Sequence, residues 1–198
     1  MNARLYDAAK FFLRGLFAVW RLRVYGVDNV PGSGAIIVAC NHLSYFDPPV
    51  LGVACPRRIN YMAKDVLFSI PILGSLIRGF GAYPVERKAS AAAAIKRSIE
   101  VLRRGEAIGI FPEGTRNRQG TASVRLGVAL LASLAGAPVV PACVVGTREA
   151  GRLAQFRVAF GQPLHLPAEQ KADRHTLANF AEDVMRAIHG LEKAVDGN

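Results

Sequence analysis

The chain of 198 residues has no stretch approaching the ~20 consecutive apolar residues that a transmembrane helix needs, and it holds only three cysteines. Cys40, Cys55 and Cys143 lie in apolar company without metal-ligand spacing, so they read as reduced core residues and leave no protein metal site to propose. There is no internal repeat, no low-complexity segment and no G-x-S-x-G nucleophile elbow. Acidic residues are few beside basic ones, 15 against 25, for a net charge of +10. A field of that sign attracts anions, whether phospholipid headgroups, the phosphates of coenzyme A, an acidic carrier protein or nucleic acid. Nucleic acid is disfavoured as a partner, because no binding motif is present and no aromatic residues interleave with the Arg and Lys in a platform. Asp7 and Arg14 interrupt the N-terminus where a signal peptide would be apolar, which places the expected location on the cytoplasmic side.

What is present is an apolar chain, 51% hydrophobic, long enough for one sizeable core. That fraction exceeds the need of a core and points to apolar surface facing a membrane. Residues 3–20 read as a helix with Leu5, Ala9, Phe12, Leu16 and Val19 at spacings of three and four, flanked by Arg4, Lys10, Arg14 and Arg21. Phe11, Phe17 and Trp20 widen its apolar side. A basic, aromatic-rich helix suits a bilayer interface; an ordinary first helix packed on the core gives the same periodicity. The expected organisation is an amphipathic interface helix over residues 1–22 and one domain over 23–198.

Strand-like runs at 23–27, 35–40, 59–63, 81–85, 107–111, 139–145 and 155–160 alternate with helical segments at 49–54, 65–80, 91–103, 123–135 and 175–191. The 65–80 segment is interrupted by Pro71, Gly74 and Gly79 and is expected as two short pieces; Ser90 is the expected cap of the 91–103 helix. Pro141 is expected to break its strand, and 155–160, which alternates most, is expected at a sheet edge. The alternation predicts an α/β layered domain with a largely parallel sheet flanked by helices.

The organising stretch is AIIVACNHLSYFDPP over residues 35–49. A buried strand bounded upstream by Pro31-Gly32-Ser33-Gly34 leads to His42, and Asp47 before Pro48 reads as a helix N-cap. Four residues separate His42 from Asp47, a spacing that a strand-to-helix turn can close and a straight helix cannot. A histidine oriented by a carboxylate is a general base. The same two residues also suit a helix cap and a satisfied turn histidine. Cys40 or Ser44 beside His42 offers a second chemistry, covalent nucleophilic catalysis.

A second motif, FPEGTR over residues 111–116, follows another strand-like run. Together NHLSYFDP and FPEGTR resemble the glycerolipid acyltransferase family, whose members include 1-acylglycerol-3-phosphate acyltransferases. Lys64 in YMAKDVLF, GAYPVER ending at Arg87, and VVPACVVG around Pro141 follow in the family's order, so the resemblance covers roughly residues 24–161. One departure is Arg125-Leu126-Gly127, where the family commonly has lysine before glycine.

The resemblance implies a glycerol-3-phosphate acyltransferase-like fold and transfer of a fatty acyl chain from a thioester to the free hydroxyl of a lysophospholipid, foremost 1-acylglycerol-3-phosphate, giving phosphatidic acid. His42 is then the base and Asp47 its orienting group. Arg87 and Arg116 are the phosphate ligands, with Thr115, the Gly114 N–H, Arg125 and Glu113 also at the acceptor. No cofactor is implied beyond the donor substrate, acyl-CoA or acyl-carrier protein. The implied setting is peripheral, on the cytoplasmic face of the cell membrane against anionic lipids. A lyso-ornithine lipid acceptor and a non-catalytic lysophospholipid-binding module are the alternatives.

Overall fold

The computed structural model describes residues 3–65, 68–69, 74, 77, 82–85, 91–114, 126–167 and 173–196. In chain order these form α1 (Ala3–Phe17), β1 (Arg23–Tyr25), β2 (Ile36–Cys40), α2 (Asp47–Ala54), β3 (Ile59–Lys64), β4 (Ala82–Val85), α3 (Ala91–Arg103), β5 (Ala107–Ile110), α4 (Gly127–Ala135), β6 (Val139–Val145), β7 (Arg157–Phe160) and α5 (Arg174–Asp196).

Every residue of β2 is buried, so both faces of the strand must be covered. Side chains alternate across a strand. Ile36, Val38 and Cys40 accordingly pack with α1 and α2, while Ile37 and Ala39 pack with α3, α4 and α5. The result is three layers with β2 at the centre of the sheet. The strand order is β1-β7-β6-β2-β5-β3-β4, and each neighbouring pair is parallel except β6 with β7. Val38 is level with Gly109 of β5 on one side and Val140 of β6 on the other. β2 and β5 end within a residue of each other while β6 runs three residues past the partner of Cys40, and the segments leaving the C-terminal ends of all three lie on one edge of the sheet.

Three expectations are corrected. Pro141 does not break β6: its carbonyl accepts from Gly161 N–H at 2.8 Å, on the side away from β2, so the missing N–H costs the β2 ladder nothing. The 155–160 run is not an edge, because β1 covers its outer side. The last helix begins at Arg174 and runs on to Asp196, its far end burying Val195 beside Cys143 and Ala159. Most of the 65–80 segment, Ser90, and the 123–125 start of the next helix lie outside the described residues.

Helix α1 has two apolar faces. Tyr6, Leu13 and Phe17 are buried in the core with α2 and the sheet, whereas Phe11, Phe12 and Leu16, and Val19 in the 3-10 turn just beyond, are exposed. Lys10 Nζ donates to the Cys55 carbonyl, and Arg58 pairs with Asp7 at 3.0 Å, fixing the helix to the loop after α2. Among the described residues no helix is long and apolar enough to cross a membrane.

Candidate active site

His42 and Asp47 meet on the turn between β2 and α2. Nδ1 of His42 lies 3.0 Å from Oδ2 of Asp47, which also accepts the N–H groups of Leu43 at 2.6 Å and Ser44 at 2.7 Å. Asp47 is not the expected N-cap. It is the first residue of α2, and its carboxylate binds the turn that precedes the helix instead of the helix's own N–H groups. The other oxygen, Oδ1, accepts the hydroxyl of Thr147. Asp47 is 0% exposed, and a buried carboxylate is tolerable only when satisfied in this way. An ionised carboxylate only accepts, so Nδ1 carries the proton and Nε2 keeps its lone pair. Nε2 makes no hydrogen bond to any described residue.

Two further supports hold the His42 end. Asn41, buried, continues the sheet with its side chain: its Oδ1 accepts from Val144 N–H at 2.8 Å, and its Nδ2 donates to the Val144 carbonyl at 3.0 Å and to Glu192 Oε1 at 2.6 Å. This ties the last residue before His42 to β6 and α5. The imidazole stacks on Phe111, ring centroids 4.3 Å apart, and Phe111 stacks in turn on Tyr61 at 6.3 Å. Gly109 makes room for that column, since a Cβ there would lie 2.4 Å from the Tyr61 ring.

Glu113 comes from the FPEGTR turn after β5 and is buried. Its Oε2 accepts the main-chain N–H of His42 at 3.4 Å, so the two motifs touch. Gly114 follows in the left-handed region, φ 67°, with its N–H on the Phe111 carbonyl at 2.9 Å. Arg87, Thr115, Arg116 and Arg125 lie outside the described residues, as does the side chain of Lys64.

The covalent alternative finds no support in the geometry. Cys40 is fully buried, donates to Asn41 Oδ1 at 3.3 Å, and its thiol is pushed far up by burial and then by the Asp47 charge. Ser44 Oγ is engaged by Phe46 N–H at 3.3 Å. Sequence reading missed Asn41, Phe111 as a stacking partner, Thr147 and Glu192. Asn41 and Phe111 stood inside the two motifs; Thr147 and Glu192 carry no local pattern, and only the sheet brings them to the site.

Among known proteins, residues 21–145 match the family model described as Acyltransferase. The 1-acyl-sn-glycerol-3-phosphate acyltransferase of Bacillus subtilis (strain 168) is 33% identical over 201 residues, covering 94% of this chain and 98% of that one. Its namesake from Borreliella burgdorferi is 36% identical over 132 residues, 64% of this chain and 52% of its own. The crystal structure of the 1-acyl-sn-glycerophosphate (LPA) acyltransferase PlsC from Thermotoga maritima shares the fold with a TM-score of 0.70 and 26% identity, over 98% of this chain and 83% of that one. A family model over more than half of the sequence, a relative aligned along nearly all of it, and a shared fold agree: this chain belongs to the acyltransferase family and is an acyltransferase.

Proposed function

We propose that the chain transfers a fatty acyl group from an acyl thioester to the free hydroxyl of 1-acylglycerol-3-phosphate, forming phosphatidic acid. The carrying observation is the His42–Asp47 pair, with Nδ1 committed to a buried carboxylate and Nε2 bonded to no described residue. Nε2 takes the hydroxyl proton as that oxygen attacks the thioester carbonyl; the tetrahedral intermediate then collapses, the C–S bond breaks, and the imidazolium returns its proton to the departing thiolate. Asp47 stabilises the imidazolium in between. No acyl-enzyme is needed, in keeping with the buried, engaged Cys40.

Acceptor identity rests on the relatives named for this substrate and on the basic residues of the motifs. Arg87 and Arg116 are proposed to hold the phosphate, with Thr115 and Arg125 assisting; the Gly114 N–H expected there is already committed to the Phe111 carbonyl. Glu113, bonded to the main chain of His42, is proposed to hold the FPEGTR turn against the base while orienting an arginine. The donor is acyl-CoA or acyl-carrier protein, and the reaction asks for no metal or cofactor. We propose peripheral docking on the cytoplasmic face of the membrane through the exposed apolar side of α1, with the net charge of +10 drawing the protein to anionic lipid.

The test is a panel of labelled acceptors, 1-acylglycerol-3-phosphate, monoacylglycerol and a lyso-ornithine lipid, each offered with both donors to the wild type and to His42→Ala. The expected result is phosphatidic acid as main product and a loss of about 10²- to 10⁴-fold in His42→Ala. Retention of more than about a tenth of the wild-type rate by His42→Ala would falsify the base assignment. Tight lysophospholipid binding without any product would make the protein a binder.

A further inference from the structure

Asp47 is held from two directions. Oδ2 meets His42 and the two N–H groups of its own turn, but Oδ1 is met by Thr147, 100 residues further along the chain. Thr147 is buried and opens the short 3-10 turn after β6. Gly146 delivers it there: φ is +87°, and a Cβ at that position would lie 2.1 Å from the Gln155 carbonyl oxygen, so only glycine turns the chain back so sharply.

We propose that Thr147 is a positioning residue for the His42–Asp47 pair: its hydroxyl fixes the rotation of the Asp47 carboxylate and shares its charge, setting both the aim and the proton affinity of the base. This rests on the reading of that pair as the general base. The torsion that turns a carboxylate has a broad, shallow preference, so neighbours must set it. The donors on Oδ2 all belong to the turn that carries the pair and move with it. Thr147 instead sits two residues past the end of β6, which the Asn41–Val144 bonds lock to the end of β2. It references the carboxylate to the sheet. Without the hydroxyl, Oδ1 would be buried with no partner and would gain by swinging toward one, carrying Oδ2 off Nδ1.

The hydroxyl also stabilises the ionised carboxylate, which lowers the affinity of the coupled pair for a further proton. Its loss should therefore raise the apparent pKa of the base. The described titratable groups that contact the pair or its turn include Glu113 from the turn after β5, Cys40 beneath on β2, and Glu192 reached through Asn41 from α5, and the Thr147 hydroxyl bonds to Asp47 rather than to any of them.

The experiment uses the full chain with 1-acylglycerol-3-phosphate and whichever thioester donor the wild type accepts. Thr147→Val, Thr147→Ser and Thr147→Cys are compared by kcat, KM, the pH profile of kcat/KM and thermal melting. Thr147→Val should lose about 10- to 10²-fold in kcat with both KM values within about twofold, and its acid limb should move up by about half a pH unit. Thr147→Ser should regain most of the rate and the wild-type limb, while Thr147→Cys, with a weak S–H donor, should follow valine. If valine prevents folding, the serine–cysteine pair, differing in one atom, decides. Wild-type kcat and pH profile in Thr147→Val, a loss confined to KM, or serine as impaired as cysteine overturns the proposal. His42→Ala is measured alongside. Should it stay active, the general-base reading falls and the proposal with it; should it be dead while Thr147→Val is normal, only the role of Thr147 falls.

Discussion

The indole of Trp20 lies flat on the ring of Phe156, centroids 5.2 Å apart and planes 10° from parallel, and donates its N–H to the Ala150 carbonyl at 2.8 Å. Phe46, the residue before Asp47, leans on both rings at 6.1 and 6.3 Å. Phe17 closes the cluster from α1. The end of the first helix is thus coupled to the turn that carries His42 and Asp47. Trp20→Ala should cost about 2 to 4 kcal/mol, the range for emptying a large aromatic site that is partly exposed. It should also lower activity at temperatures where the variant is still folded, because Phe46 loses a wall. Denaturant unfolding with activity measured well below the transition checks both; an unstable variant with undiminished activity would sever the link.

Much of this is legible in the amino-acid sequence. Apolar runs rich in Val and Ile announced β2 and β6, and the Ala-rich 91–103 segment ran the full length read for it, since strong periodicity and clean breakers leave little choice. The His42–Asp47 pairing was legible because both partners sit on one short turn. The errors share a cause. Where Pro141 points, which strand covers Arg157–Phe160, and what Asp47 caps are decided by neighbours far away in sequence. The first helix shows the same limit from another side: Phe12, Leu16 and Val19 made the visible stripe, yet the sheet took the adjacent stripe of Tyr6, Leu13 and Phe17. A helix with two apolar stripes does not say which one the core will choose.

Cys40 stands two residues before His42 but is sealed in the sheet, and burial holds its thiol protonated. Cys40→Ala should keep kcat within about threefold and cost about 1 kcal/mol, a small cavity term. Alkylating reagents at neutral pH should leave the folded enzyme active. An inactive, folded Cys40→Ala, or an acyl-enzyme trapped on Cys40, would restore the covalent route.

Glu192 couples α5 to the site through Asn41, and burial raises its carboxyl above the ordinary glutamate range, against the opposing pull of His189 and the Asn41 bond. The folded state therefore binds this proton more tightly than the unfolded chain. Its contribution favours folding at acid pH, below the unfolded value, and is lost as pH rises through the folded value. Glu192→Gln keeps an acceptor for Asn41 and removes the titration. The difference in melting temperature, variant minus wild type, should grow more positive from acid to neutral pH. A difference independent of pH would show that burial imposes no such penalty.

The exposed side of α1 carries the membrane argument. Phe12 is 69% and Leu16 43% exposed, with Phe11 and Val19 beside them and Arg14 and Arg21 exposed nearby. Burying such a side chain in lipid stabilises by roughly 1.5 to 3 kcal/mol, and a basic residue near an anionic surface adds roughly 1 kcal/mol. Replacing Phe12 and Leu16 by Asp should therefore weaken binding to anionic vesicles by about a hundredfold or more. Melting should barely change, because neither side chain is in the core. Leu13→Asp, one residue away on the buried face, should unfold the domain, and so should deletion of residues 1–20, which removes Tyr6, Leu13, Phe17 and Trp20 from the core. Activity of the double variant should collapse on bilayer substrate and persist on detergent-dispersed substrate. Vesicle sedimentation alongside thermal melting reads all three proteins, and a folded double variant that still sediments with vesicles would remove α1 as the dock.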